Sequence, residues 1–264
     1  MPTLISFPGI ALAVPGLVHG VTERTGGVSR DAYAALNLGR SCGDDPDAVT
    51  ENGRLLRERL SATEPVRFPH QVHGCHVALV DDQVDGPVGP ADAVITAVPG
   101  RAVGVLGADC PGVLVVDPLR RVVAVVHSGW RGTVAGVLPA VLETLRHRYA
   151  STARDLLVGI GPGISAACYE VGPDVVEPFL AAFPAWGPSC LVRGRGDRSH
   201  LDLAEALRRQ ALDAGVRDGS IERSALCTFR ERERLFSHRR DGPRTGRHAL
   251  VAMWRSATDA PEGS

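Results

Sequence analysis

The stretch GADCPGVLVVDPLRRVVAVVHSGWRG, residues 107–132, places a cysteine and a histidine at the ends of two apolar runs joined by a tight turn. Cys110 stands just before GVLVV, His127 closes VVAVV, and Asp117-Pro118-Leu119-Arg120 lies between them. Val/Leu runs this short, bounded by Gly, Asp and Pro, read as buried strands rather than helices. The hairpin therefore brings a thiol and an imidazole to one edge, and it requires antiparallel pairing in at least part of a sheet. In the continuation His127-Ser128-Gly129-Trp130-Arg131-Gly132, glycines free the backbone beside a candidate ligand. Loops of that composition at strand ends usually carry function.

A second segment, His70-Gln71-Val72-His73-Gly74-Cys75-His76, offers a third group. Two imidazoles and one thiolate leave a tetrahedral ion with one open position, the arrangement of a catalytic rather than a structural zinc. A buried cysteine is most often a small hydrophobe, and a histidine at a strand end is most often a hydrogen-bonded residue. The glycine-rich continuation is what raises Cys110 and His127 above that reading.

Outward from the hairpin, strands and helices alternate. Residues 48–60 have helical spacing with charges outward, and 77–80 and 93–97 read as strands. Residues 133–149 form an amphipathic helix whose N-terminus would face the cysteine and histidine and favour anions there. Strands are expected at 156–160 and 221–226, helices at 174–183, 201–214 and 245–254, and a frayed tail at 255–264. With no linker, low-complexity run or internal repeat, the pattern is an α/β (α+β) chain with one domain over residues 1–254.

At 264 residues and 44% hydrophobic content the chain can bury a full core. A formal net charge of -1 and dispersed arginines give no electrostatic footprint for nucleic acid. All 29 basic residues are arginine, which excludes a Schiff-base lysine and a P-loop lysine; an anionic substrate must be held by guanidinium forks or backbone amides. The six cysteines include no CxxC pair, so neither a zinc ribbon nor a thioredoxin-like motif is supported. The apolar opening has no basic residue before Arg24 and is interrupted by Pro8 and Pro15, which argues against a signal peptide. No apolar run reaches membrane-spanning length, and free thiols suit a cytoplasmic protein.

Several blocks resemble the laccase-domain family, long labelled multicopper polyphenol oxidases and regarded largely as zinc-dependent purine nucleoside phosphorylases. They are Thr25-Gly26-Gly27-Val28-Ser29, Asn37-Leu38-Gly39, Gly43-Asp44-Asp45-Pro46, Gln71-Val72-His73-Gly74, Ala108-Asp109-Cys110, Gly129-Trp130-Arg131-Gly132, Ile160-Gly161-Pro162, Cys168-Tyr169-Glu170-Val171-Gly172, Leu201-Asp202-Leu203, Cys227-Thr228, Phe236-Ser237 and Arg239-Arg240-Asp241-Gly242. They occur in the family's order along nearly the whole chain. The resemblance implies mixed β-sheets with flanking helices in a layered sandwich, similar to the cytotoxic-necrotizing-factor-like fold. It also implies metal ligands at His73, Cys110 and His127. The chain departs from the family at Pro111-Gly112, at Ser128, at Leu207 where asparagine is usual, and at His238 where tyrosine is usual.

The implied activity is phosphorolysis of adenosine, inosine, guanosine or methylthioadenosine, with adenosine deamination beside it. The implied partners are purine nucleosides and phosphate, with neither nucleic acid nor membrane. Zinc polarises an oxygen or lowers the pKa of bound water to about 7. Phosphate suits arginine forks: Arg131 beside His127 is the first candidate by position, with Arg24 and Arg239 behind it. Glu170 is a candidate acid/base group or a partner for a ligating imidazole. A four-copper oxidase is implausible, because nine histidines without a His-x-His pair and two methionines cannot house it. Copper could still displace zinc in vitro and give a polyphenol oxidase side activity. The competing reading is a metal-free cysteine hydrolase or amidase with Cys110 as nucleophile and His127 as base.

Overall fold

The computed structural model describes residues 1–81 and 88–256. A six-stranded sheet runs in the order β12 (Ile221–Arg223), β8 (Leu157–Ile160), β6 (Gly112–Asp117), β7 (Val122–His127), β4 (Ala93–Thr96), β3 (Val77–Leu79). The expected hairpin is its centre: β6 and β7 pair antiparallel from Gly112 opposite His127 to Asp117 opposite Val122. Asp117 closes the turn by accepting from the amides of Leu119 and Arg120 at 2.9 and 3.0 Å. The outer pairs β3/β4 and β8/β12 are parallel, so the sheet is mixed. A four-stranded sheet has the order β1 (Leu4–Ile5), β2 (Leu17–Thr22), β13 (His248–Trp254), β5 (Val103–Gly107). A small third sheet joins β10 (Leu191–Arg193), β11 (Ser199–Leu201) and β9 (Glu170–Val171).

The period-two alternation of strands sorts their side chains into layers. Leu114, Val123 and Val125 from the large sheet meet Val105, Leu250 and Trp254 from the second sheet, so the two sheets pack face to face. On its other face the large sheet presents Val113, Val115, Ala124 and Val126 to the apolar stripes of α4 (Val137–Tyr149) and α6 (Leu203–Asp213). The second sheet presents Ala249, Val251 and Met253 to Leu56 and Leu60 of α2 (Pro46–Leu60). The result is the expected sandwich: helices, sheet, sheet, helix. Three further helices, α1 (Pro8–Ala13), α5 (Pro173–Ala182) and α7 (His238–Asp241), lie outside it, as does α3 (Trp130–Ala135).

Two expectations are corrected. Residues 245–254 do not form a helix; β13 occupies the middle of the four-stranded sheet, paired antiparallel with β2 and β5. HALVAMW is apolar on both faces because each face has its own layer to fill, and periodicity cannot separate such a short run from a buried helix. The helix expected at 133–149 is two helices, because Gly136 adopts the left-handed conformation at φ 78° and ends α3 before α4 begins. The other expected elements stand within a few residues of their predicted bounds. The apolar opening is folded as β1, α1 and β2. All six cysteines are free. Among the described residues no helix is long and apolar enough to cross a membrane. Of the tail expected at 255–264, residues 257–264 lie outside the described residues.

Leu114 is fully buried between the sheets, whereas Leu119 at the hairpin turn is 69% exposed. Leu114→Ala should cost about 2–5 kcal/mol, and Leu119→Ala should stay within about 0.5 kcal/mol. Urea midpoints at unchanged m-value measure both, and equal effects would contradict the layer assignment.

Candidate functional site

Cys110 sits in the short connection between β5 and β6, His127 is the last residue of β7, and His73 lies in the loop before β3. Their ligating atoms all lie within 4.8 Å of one another. The two imidazoles meet edge to face, with centroids 4.9 Å apart and planes at 87°. A tetrahedral ion sets its ligand atoms about 3.5 Å apart, so one ion is within reach of all three after small side-chain adjustments. Gly129 is required by this convergence: a Cβ there would stand 2.7 Å from Cys110 Sγ. Gln71 fastens the His73 loop to the end of β5, donating to Leu106 O at 2.9 Å and accepting from Leu106 N at 2.8 Å.

The centre is organised by Asp92, a fully buried carboxylate at the head of β4. His127 Nδ1 lies 3.0 Å from Asp92 Oδ1, and His73 N and Gly74 N donate to the same carboxylate at 2.9 and 2.7 Å. With Nδ1 committed to Asp92, His127 turns Nε2 toward Cys110. Burial pushes the Asp92 carboxyl up, but the hydrogen bonds from His127 and Gly74 outweigh it and hold it below the ordinary range. Burial would also raise the Cys110 thiol; hydrogen bonds from His127 and His73 bring it down to about 6. His127, against the cost of burial, is raised to about 9 by Asp92 and Cys110. These shifts favour a thiolate beside an imidazolium, and the anionic sulfur is the form that ligates metal.

A cavity of about 1250 Å³ opens over these residues. Its metal-side wall includes Asp109, Tyr169, His238 and Arg239. Asp109, buried at φ 96°, accepts from Thr228 Oγ1 at 2.6 Å, Ser237 Oγ at 2.7 Å and Arg239 N at 2.6 Å. It thereby draws the 227–228 and 236–240 segments onto the cysteine loop. The Arg239 guanidinium lies over the Tyr169 ring at 5.1 Å and donates to Glu170 O at 2.8 Å. Burial, with Cys110 nearby, pushes Tyr169 up to about 12, which keeps its hydroxyl a donor.

Residues 18–255 match the family described as multi-copper polyphenol oxidoreductase laccase. The chain belongs to this family. It is 40% identical over 245 residues to a Streptomyces coelicolor protein named purine nucleoside phosphorylase, covering 89% of this chain and 95% of that one. It is 33% identical over 246 residues to an adenosine deaminase from an unknown prokaryotic organism, covering 90% and 94% of the two chains. The crystal structure of YlmD from Geobacillus stearothermophilus superposes with a TM-score of 0.87 at 34% identity, over 91% of this chain and 93% of that one. Despite the family's description, one group of three metal-capable side chains is found among the described residues.

The other residues singled out from sequence are placed less centrally. Arg131 is exposed, lies over the Trp130 ring at 4.4 Å, and does not line the cavity. Arg24 lines a separate cavity of about 720 Å³, where it donates to Ala34 O and Arg232 O and lies over Phe236. Glu170 accepts from Arg195 N at 3.2 Å and meets Arg239 only through its main-chain carbonyl. The carboxylate that lies beside the His127 imidazole is Asp92. Of the departures from the family, Leu207 is buried between α6 and the large sheet, Ser128 is hydrogen-bonded to Thr133 at 2.9 Å, and His238 lines the cavity.

Asp92 escaped the sequence reading. Its only signal is an acid at the head of an apolar run. Its meaning depends on the β4/β7 register, in which Ala93 opposite Val126 sets Asp92 beside His127. Asp92→Asn keeps the size but presents an NH2 group to amides and imidazole. It should weaken metal affinity about 10–100-fold in a competitive chelator titration. Unchanged affinity would remove Asp92 from the centre.

Proposed function

We propose that the chain is a zinc-dependent purine nucleoside phosphorylase, converting adenosine, inosine, guanosine or methylthioadenosine and phosphate to free base and ribose 1-phosphate. Adenosine deamination is a second activity of the same centre. The observation that carries this reading is the convergence of His73, Cys110 and His127 on the wall of one large cavity, with Asp92 behind them. The names of the relatives in Streptomyces coelicolor and the unknown prokaryote support the substrate class.

The donor set suits zinc: one thiolate and two imidazoles leave a fourth position free, and among the described residues no carboxylate belongs to the group. Zinc held there supplies a Lewis acid that polarises a substrate oxygen. Copper binds such ligands more tightly in vitro, so copper loading would give a polyphenol oxidase side activity. Asp92 holds His127 in one tautomer and keeps the ligand loop closed. For phosphate, the geometry favours Arg239 over Arg131 and Arg24, because Arg239 lines this cavity. Tyr169 and Asp109 orient it, one through its ring and the other through its main chain. Tyr169 also offers a hydroxyl donor to a bound oxygen. Glu170 acts through the carbonyl that fixes the Arg239 fork. We place the enzyme in the cytoplasm as one domain.

Incubating zinc-loaded protein with inosine, with and without phosphate, tests the reading: hypoxanthine should form only with phosphate. Arg239→Ala should raise the phosphate KM about ten- to a hundredfold with zinc content unchanged, and Arg131→Ala should not. Base release without phosphate would overturn phosphorolysis.

The thiolate–imidazolium pair favours one alternative, a metal-free cysteine hydrolase. Cys110→Ser separates the two. Under the zinc reading it loses tight zinc binding and phosphorolysis together. A hydrolase would instead resist chelators and form a covalent intermediate on Cys110. In metal-stripped protein, Cys110 alkylation should reach half its maximal rate near pH 6 rather than 9, and zinc should protect it.

A further inference from the structure

The cavity extends well past the metal side. Its volume of about 1250 Å³ exceeds the roughly 300–1,000 Å³ of an ordinary small-molecule site, so a nucleoside with a separate phosphate leaves room unused. The far wall is one face of α2, where Val49, Thr50, Gly53, Leu56 and Arg57 recur at helical spacing. Gly53 stands in the middle of that helix, although glycine there costs about 0.5–1 kcal/mol relative to alanine. Among the described residues no protein atom accounts for it: a Cβ on Gly53 would meet nothing within 4 Å. At Gly53 the helix offers only backbone to the cavity, whereas Val49 and Leu56 beside it are buried, Leu56 against the second sheet.

Two of the charges on this side are unmatched among the described residues. Arg54 is paired with Glu51 and Glu58, Arg67 with Glu64, and Arg247 donates to the carbonyls of Thr245 and Gly246. Arg40 and Arg57 line the same cavity, and among the described residues neither has an ion pair or a side-chain hydrogen bond. The one described carboxylate in the lining, Asp109, is engaged by Thr228, Ser237 and Arg239. Guanidinium forks facing a cavity without a carboxylate to receive them are suited to a phosphoryl group.

We propose that the chain binds nucleoside 5′-monophosphates more tightly than nucleosides, with the 5′-phosphoryl group held by Arg40 and Arg57 against the bare Gly53 face of α2. This rests on the nucleoside reading above and extends it to a class of anionic ligand. The free phosphate of phosphorolysis stays with Arg239, so the cavity has two separate anion positions. Gly53 admits the ligand to the helix surface, and the two arginines supply the charge that all-arginine composition had reserved for forks.

Calorimetric titration of the zinc-loaded protein with inosine and with inosine 5′-monophosphate, no phosphate added, measures the preference directly. The monophosphate should bind about ten- to a hundredfold more tightly. The double variant Arg40→Ala/Arg57→Ala should reduce that preference to less than about threefold while leaving inosine affinity and the phosphate KM unchanged. Gly53→Leu, a substitution that improves helix propensity and crowds no protein atom at its Cβ, should keep the melting temperature and still weaken the monophosphate. Inosine binding without gain from the 5′-phosphate overturns the inference and leaves the nucleoside reading standing. A raised phosphate KM in the double variant, with the preference intact, assigns these arginines to free phosphate and also overturns it. Binding of neither ligand overturns both readings.

Discussion

The site depends on one buried carboxylate. Asp92 has no exposure to solvent, and removing such a group from water costs several kcal/mol unless its lone pairs are satisfied. They are satisfied by the ring of His127 and by the amides of His73 and Gly74, groups from two segments distant in sequence. The carboxylate's demand for donors therefore becomes a positional constraint on the ligands. His73 is held at φ 59°, a left-handed conformation uncommon for a residue with a Cβ, and the hydrogen bond its amide N–H donates to Asp92 compensates that strain.

Asp109 does the corresponding work on the Arg239 side of the cavity. Like His73, it has a positive φ, and its oxygens gather Thr228, Ser237 and Arg239 from the C-terminal third of the chain. Both acids lie at ends of strands in the packed pair of sheets, Asp92 heading β4 and Asp109 following β5. The sandwich provides the rigid frame, and the two carboxylates convert it into a convergent set of loops. Arg239 and the two histidines of the triad are thus placed by different anchors, Asp109 and Asp92.

The family's description and the donor set point in different directions. A multicopper site needs many imidazoles; the described residues hold one group of three candidate ligands, two histidines and a cysteine. The shifts at Cys110 and His127 favour a thiolate and an imidazolium, so uptake of a cation there would release a proton.

The sequence by itself determined the hairpin, because Val/Leu runs bounded by Asp-Pro and Gly have few alternatives, and it determined the three metal-capable residues once the family blocks were read with it. It also determined most helices, whose periodicity and caps are local, as with Asp45 and Asp202 at the starts of α2 and α6. It could not determine that 248–254 is a central strand, since an apolar run of that length satisfies either geometry and only the layers on its two faces decide. Nor could it find Asp92 or choose among the arginines. Hydrogen-bond partners of a buried carboxylate and the cavity that a guanidinium faces are set by register and packing between segments far apart in the chain, and these exist only in the tertiary structure.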